Sequence, residues 1–252
     1  MSDRLNHIKH SIAHFSQKLD QKGFVANHDG NITVKIKDGF LATPTAVSKA
    51  SIVEEMVITL DANGKKIEGV GSPFGELKLH LAAYKTRPDA QAVVHAHPPF
   101  ATARGLVGHA LYPKIPEAIV SIGSIIPIAP MTLPGSLESE RAVEDALQIS
   151  DVCMLAGNGV LAIGADVEQA YLRLELVEHL CKIESYAGRL GLPLDLPKSD
   201  VDKLLEKRKA LGLGPQANGI TRTTATSSHS QSSLQDDIKK IIVEEIKKAL
   251  VG

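Results

Sequence analysis

The chain has 252 residues, 43% of them apolar, enough for one sizeable core, and its 28 basic and 29 acidic side chains leave a net charge of −1. That balance excludes the basic footprint of a nucleic-acid binder, and 4% aromatic content without Trp excludes base-stacking platforms. No apolar stretch nears the ~20 residues of a membrane span, Met1-Ser-Asp-Arg lacks a signal-peptide pattern, and Cys153 and Cys181 read as reduced, partly buried thiols of a cytoplasmic protein.

Leu5, Ile8, Ile12, Phe15 and Leu19 recur at helical spacing, which predicts an amphipathic helix over residues 3–22 with Gly23 as its stop. A turn, Asp29-Gly30-Asn31, leads into an alternating strand at 32–36. A second strand spans 40–43 and ends at Pro44; a third spans 56–60, and Asn63-Gly64 turns it into 65–69. Residues 75–86 read as a helix and 91–96 as a buried strand, which Pro98-Pro99 breaks. Residues 125–130 are short and extended between prolines, and 138–150 are helical.

Strands at 152–156 and 160–163 pair around the turn Gly157-Asn158-Gly159. Asp166 caps a long helix reaching about residue 189, with Leu172, Leu176, His179, Leu180 and Ile183 expected to face inward. A polar helix follows at 198–211. This order predicts a mixed α/β layered domain rather than a doubly wound one.

After residue 211 the composition changes. Residues 212–233 are rich in Ser and Thr and poor in apolar side chains, the signature of a flexible linker with a reach of about 25 Å. Within 234–252, Leu234, Ile238, Ile241, Ile242, Ile246, Ala249 and Leu250 form an apolar stripe at helical spacing. A helix of ~17 residues is marginal alone, so the stripe needs a partner.

The chemistry concentrates at His95 and His97. Residues i and i+2 of a strand share a face, so two imidazoles at a strand end can grip one transition-metal ion. The same spacing also suits a hydrogen-bonded structural pair. Glu76, near a helix start, is placed as a metal ligand or a general base, although an acidic residue in a first turn is also ordinary. Gly30-Asn31 and Thr43-Pro44-Thr45 follow a turn and a strand, where backbone N–H groups and hydroxyls can hold an oxyanion. His80, one turn after Glu76, reads as a core or supporting residue, His179 as structural, and His109 as a loop residue. His7, His10, His14, His28 and His229 read as surface residues.

In order along the chain, Gly30-Asn31-Ile32-Thr33, Thr43-Pro44-Thr45, Gly75-Glu76 with His80, Val93-Val94-His95-Ala96-His97, Ile126-Pro127-Ile128-Ala129-Pro130 and Gly159-Val160-Leu161-Ala162 resemble the class II aldolase/adducin family over residues 5–211. The resemblance implies a three-layer α/β/α fold around a central, mainly antiparallel sheet. It also implies a homotetramer with active sites at subunit interfaces, and a divalent metal, usually Zn2+.

On that resemblance His95, His97 and Glu76 are metal ligands, and Glu76 doubles as the acid/base. Gly30, Asn31, Thr43, Thr45 and Gly75 lie at the substrate. The reaction implied is an aldehyde-lyase's: breaking or forming a C–C bond in a small sugar or sugar phosphate through a metal-stabilised enediolate. An epimerase or dehydratase on the same scaffold, and an inactive member used for binding or assembly, are the alternatives.

Three positions depart from the family's pattern. Asn158 stands where the family places its third metal histidine, so the site binds metal more weakly, recruits a water, prefers a harder metal, or holds none. Phe74-Gly75 replaces the usual Ser-Ser before the Glu, and Pro116-Glu117 stands where a neighbouring subunit would supply an aromatic residue. The tail beyond residue 211 is similar to the encapsulation peptides of bacterial microcompartment cargo, which would make a shell protein the partner of residues 234–250. Docking on the protein's own tetramer and self-association are the alternatives.

Overall fold

The computed structural model describes residues 2–133 and 135–215. In chain order the elements are α1 (Ser2–Gln21), β1 (Asn31–Ile36), β2 (Gly39–Ala42), β3 (Ile58–Asp61), β4 (Lys66–Glu68), α2 (Leu77–Thr86) and β5 (Ala92–Ala96). They continue with α3 (Pro99–Leu106), α4 (Pro116–Ile122), β6 (Ile128–Ala129), α5 (Leu137–Leu147), β7 (Val152–Leu155), β8 (Val160–Gly164), α6 (Val167–Leu190) and α7 (Lys198–Ala210). All belong to one compact unit, Met1–Ile220. The second unit, Thr221–Gly252, is outside the described residues. So are the 234–252 helix and the linker beyond Pro215 that the sequence predicts. Among the described residues no helix is long and apolar enough to cross a membrane.

The eight strands form one sheet in the order β4-β3-β2-β1-β5-β8-β7-β6. Every neighbouring pair is antiparallel except β6 and β7. Alternation along the strands supplies two apolar faces. Ile32, Val34, Ala92, Val94, Val160 and Ala162 face α1, α3, α4 and α6. Phe40, Leu60, Val93, Leu161 and Ile163 face α2 and α5. The result is the three-layer α/β/α arrangement, with β5 at the sheet's centre and buried at every residue.

Two helices and one helix face depart from the sequence expectation. Pro99 opens α3 instead of only breaking the strand before it, and Pro116 opens α4 where the sequence pattern predicts no helix. A proline at the first helical position loses no hydrogen bond and already has helical φ. In α6 the inward face is Tyr171, Leu174, Val177, Glu178, Leu180 and Cys181, with Leu176 at its edge; of the residues expected inward, Leu180 is buried while Leu172 and His179 are exposed. The buried face carries charge. Glu178 accepts from the N–H groups of Phe100 and Ala101, capping α3. Arg173 on the same side of α6 donates to the Ile163 carbonyl.

Asp151, wholly buried at the entry to β7, ties both helical layers together. Arg87, which ends α2, approaches it at 2.8 Å, and Arg173 of α6 at 3.1 Å; Arg208 of α7 completes the set. Arg87 also holds Asp89 at 2.7 Å, so three guanidinium groups share two carboxylates. Burial alone would raise the Asp151 pKa, but the three cations, Arg173 foremost, leave it below its ordinary value of 3.8.

Asp151→Asn leaves buried guanidinium charge uncompensated and is expected to cost about 3–5 kcal/mol, read from urea unfolding at neutral pH. Because the folded-state pKa is depressed, the contribution is full at pH values above the unfolded pKa. It is lost as pH falls through the folded value, so wild type and variant are expected to converge in strong acid.

Candidate active site

Register builds the site. Across the sheet, Asn31 of β1 is opposite His95 of β5, and His95 is opposite Leu161 of β8. His95 therefore shares the face of Val93, under α2, while Ala96 turns to the other face. The chain then leaves the strand, and the His97 N–H donates to the Phe24 carbonyl at 2.8 Å. The two imidazoles meet with ring centroids 5.1 Å apart and Nε2 atoms 3.2 Å apart.

What each ring does with its other nitrogen fixes what the facing nitrogens can do. His95 Nδ1 is 3.0 Å from the Val160 carbonyl, which can only accept, so Nδ1 carries the proton. His97 Nδ1 is 3.1 Å from the Asp29 carboxylate, with the same consequence. In their neutral forms both rings then aim a lone pair at one point. Burial, and next the neighbouring His97, push His95 down to about 3 against the opposing effect of the Val160 bond, so the His95 ring is neutral near pH 7.

Two facing lone pairs repel unless a proton or a cation lies between them. Two nitrogens at about 2.0–2.1 Å from one tetrahedral ion would stand about 3.3 Å apart. The pair thus fits a divalent cation, and the carbonyl and carboxylate behind it are the usual outer partners of metal-bound histidines.

The remaining residues are placed as follows. Glu76 is half-buried at the N-cap of α2 without capping it, and its carboxylate accepts from Asn31 Nδ2 at 3.4 Å. It does not complete a ligand set: among the described residues no group of three or more His, Cys, Asp or Glu is arranged to hold a metal ion. Asn31 Oδ1 is buried without a partner, ready to accept from a hydroxyl.

Gly30 adopts φ +74°, and a side chain there would strike Val25. Thr43 is entirely buried and its hydroxyl accepts from the Ile32 N–H at 3.1 Å, so it secures the junction of β1 and β2. Thr45 is exposed and its N–H donates to the Ser72 carbonyl. Gly75 is exposed, with open space where a Cβ would stand.

Asn158 is half-buried in the β7–β8 turn, lining a cavity of about 20 Å³ with Leu79, Pro130, Thr132 and Leu155. That is room for about one water molecule. His80 is buried: its Nδ1 is 2.8 Å from Thr33 Oγ1, its ring meets Phe74 edge-on, and its Nε2 has no partner. Burial, then His95, lower its pKa. His109 is exposed after α3. Sequence reasoning reads Asp29 only as part of a turn; its contact with His97 spans 68 positions and emerges from the fold alone.

Residues 10–185 match the profile of the Class II Aldolase and Adducin N-terminal domain. Over 212 residues the chain is 32% identical to the L-fuculose phosphate aldolase of Escherichia coli O6:H1, covering 82% of this chain and 97% of that one. It is 26% identical over 205 residues to the 5-methylthioribulose-1-phosphate/5-deoxyribulose-1-phosphate aldolase of Rhodospirillum rubrum, covering 81% and 92%. A solved L-fuculose 1-phosphate aldolase superposes with a TM-score of 0.75 at 27% identity, over 81% of this chain and 96% of that one. The enzyme of that name from Thermus thermophilus gives 0.66 at 27% identity, over 76% and 100%.

Gly159 bounds the site from the β8 side. It has φ +73°, and a Cβ there would collide with the Ala96 carbonyl and with Cδ2 of His97. Gly159→Ala is expected to cost about 1–3 kcal/mol from its backbone strain and to separate the two rings. Thermal unfolding and a structure of the variant check both.

Proposed function

Because the chain belongs to the class II aldolase and adducin family, as an enzyme of the aldolase type, we propose that it is a metal-dependent aldehyde-lyase that breaks or forms a C–C bond in a small sugar phosphate. The observation that carries this reading is the facing Nε2 pair of His95 and His97, each ring locked from behind, beside the Glu76–Asn31 pair. Relatives named for ketose phosphates support the substrate class.

His95 Nε2 and His97 Nε2 would hold the cation, and imidazole donors favour Zn2+. When bound, it supplies Lewis acidity to the hydroxy-ketone end of the substrate as charge builds there. Glu76 takes and returns the proton, and the Asn31 amide aims its carboxylate. Asn31 Oδ1 accepts a substrate hydroxyl. The open space at Gly75 and the exposed Thr45 hydroxyl receive the polar end of the substrate, on a backbone shaped by Gly30 and Thr43. Asn158, where the family places a third nitrogen ligand, would leave that corner of the cation to a water or to its own weaker carbonyl.

A homotetramer is proposed with this activity, on the family resemblance. Exposed Leu106 and Met131, both against Gly157, support it by offering apolar surface beside the site. A shell protein as the partner of residues 234–250 is supported by their apolar stripe. A binding or assembly role without turnover is the second reading, favoured by Asn158 and by the two-member imidazole set.

Purified without chelator, wild type is expected to carry about one divalent ion per chain and to cleave ketose 1-phosphates, whereas His95→Ala loses the ion. Glu76→Gln is expected to retain the ion and lose roughly 10²–10⁴-fold in kcat. Metal analysis with a coupled aldehyde assay reads both, and bound metal without cleavage of any sugar or sugar phosphate would favour the second reading.

A further inference from the structure

We propose that Asp29 is a positioning residue that sets His97 for cation binding, an inference that rests on His95 and His97 as the metal-holding pair. Asp29 closes the turn before β1. Its Oδ1 accepts from the Ala26 N–H at 3.2 Å, and its own N–H donates to the Ala26 carbonyl at 3.1 Å. Asn27, inside the turn, takes a left-handed φ of +53°. One carboxylate oxygen is thus fixed by backbone, and the other, Oδ2, faces His97 Nδ1 at 3.1 Å.

Among the described residues Asp29 forms no ion pair within 4 Å with a Lys or Arg, although its charge is felt by the buried Lys49, and His97 is the one ring it contacts. The nearby buried Lys49 Nζ is committed to the carbonyls of His28 and Val47. The same segment holds His97 a second time, through the Phe24 carbonyl on the His97 N–H. Backbone and side chain therefore fix the ring together.

Three effects follow at His97 Nε2. The carboxylate accepts a hydrogen bond from Nδ1–H, so in the neutral ring the lone pair resides on Nε2. It sets the ring plane, so that lone pair points at His95 Nε2. Its negative charge also makes Nε2 a stronger donor, which the neutral Val160 carbonyl behind His95 does less well. With Asn158 where a third imidazole would stand, the affinity for a nitrogen-preferring divalent cation depends more on these two rings, and Asp29 strengthens one of them.

The test uses the full-length chain freed of metal, as wild type, Asp29→Asn, Asp29→Ala and His95→Ala, titrated with Co2+ and followed by visible absorption. Asp29→Ala is expected to bind about 10–100-fold more weakly than wild type. Asp29→Asn, which keeps an acceptor oxygen without the charge, is expected to fall between them. Without metal, 15N shifts of the His97 ring are expected to show the Nδ1–H tautomer in wild type and a mixture in Asp29→Ala. Equal Co2+ affinity in wild type and Asp29→Ala, with the tautomer unchanged, overturns the role of Asp29 alone. Wild type that binds Co2+ no better than His95→Ala overturns the metal-site reading, and the inference with it.

Discussion

The register of β5 between β1 and β8 is the constraint on which the site depends. It sets Asn31 against His95 on one side and Leu161 on the other. A slip of one residue would turn His95 to the opposite face and bring Val94 or Ala96 to the site. Burial on both faces resists such a slip, because Val94 and Ala96 are needed in the α6-side core and Val93 in the α2-side core. The Val160 carbonyl adds a side-chain bond across the same strand pair. Packing and chemistry select one alignment.

Around that alignment the site is polar in a measured way. His95 is almost fully buried and stays neutral, which suits a nitrogen that must keep its lone pair. Thr33, Tyr84 and His80 form a hydrogen-bonded row on the same face, with Thr33 Oγ1 3.0 Å from the Tyr84 hydroxyl. Such a row fixes side-chain positions more than it adds stability. Glu76, at a helix start with no capping bond, makes one side-chain hydrogen bond among the described residues, the long contact with Asn31. Under the proposed mechanism the rigid imidazoles would hold the cation while the more loosely held Glu76 carries the proton.

Much of this is legible in the chain. Helical spacing marks α1 and α6, alternation marks the strands, and the His-x-His pair at a strand end puts both rings on one side. Three things are hidden. Pro99 reads only as a breaker and Pro116 carries no helix signal, although a first-turn proline begins a helix just as well. Apolar counting places Leu180 on the inner face of α6 but misplaces Leu172 and His179, because Arg173 and Glu178 are buried by specific bonds that such counting does not register. Asp29 looks like turn chemistry because its partner is distant in sequence. Local pattern reports local structure; partners joined by topology leave no local mark.

The convergence of Arg208 on Asp151 also makes α7 part of the body of the protein. Arg208 donates to the carbonyls of Val120 and Ser121 as well, and Gly214 packs on its guanidinium. Among the described residues these contacts reach past α7 to Gly214. A chain trimmed at residue 197 would leave Asp151, Arg87 and Arg173 to settle their charge without the third cation. Helix α7 is thus an electrostatic keystone of the fold and not an appendage to it.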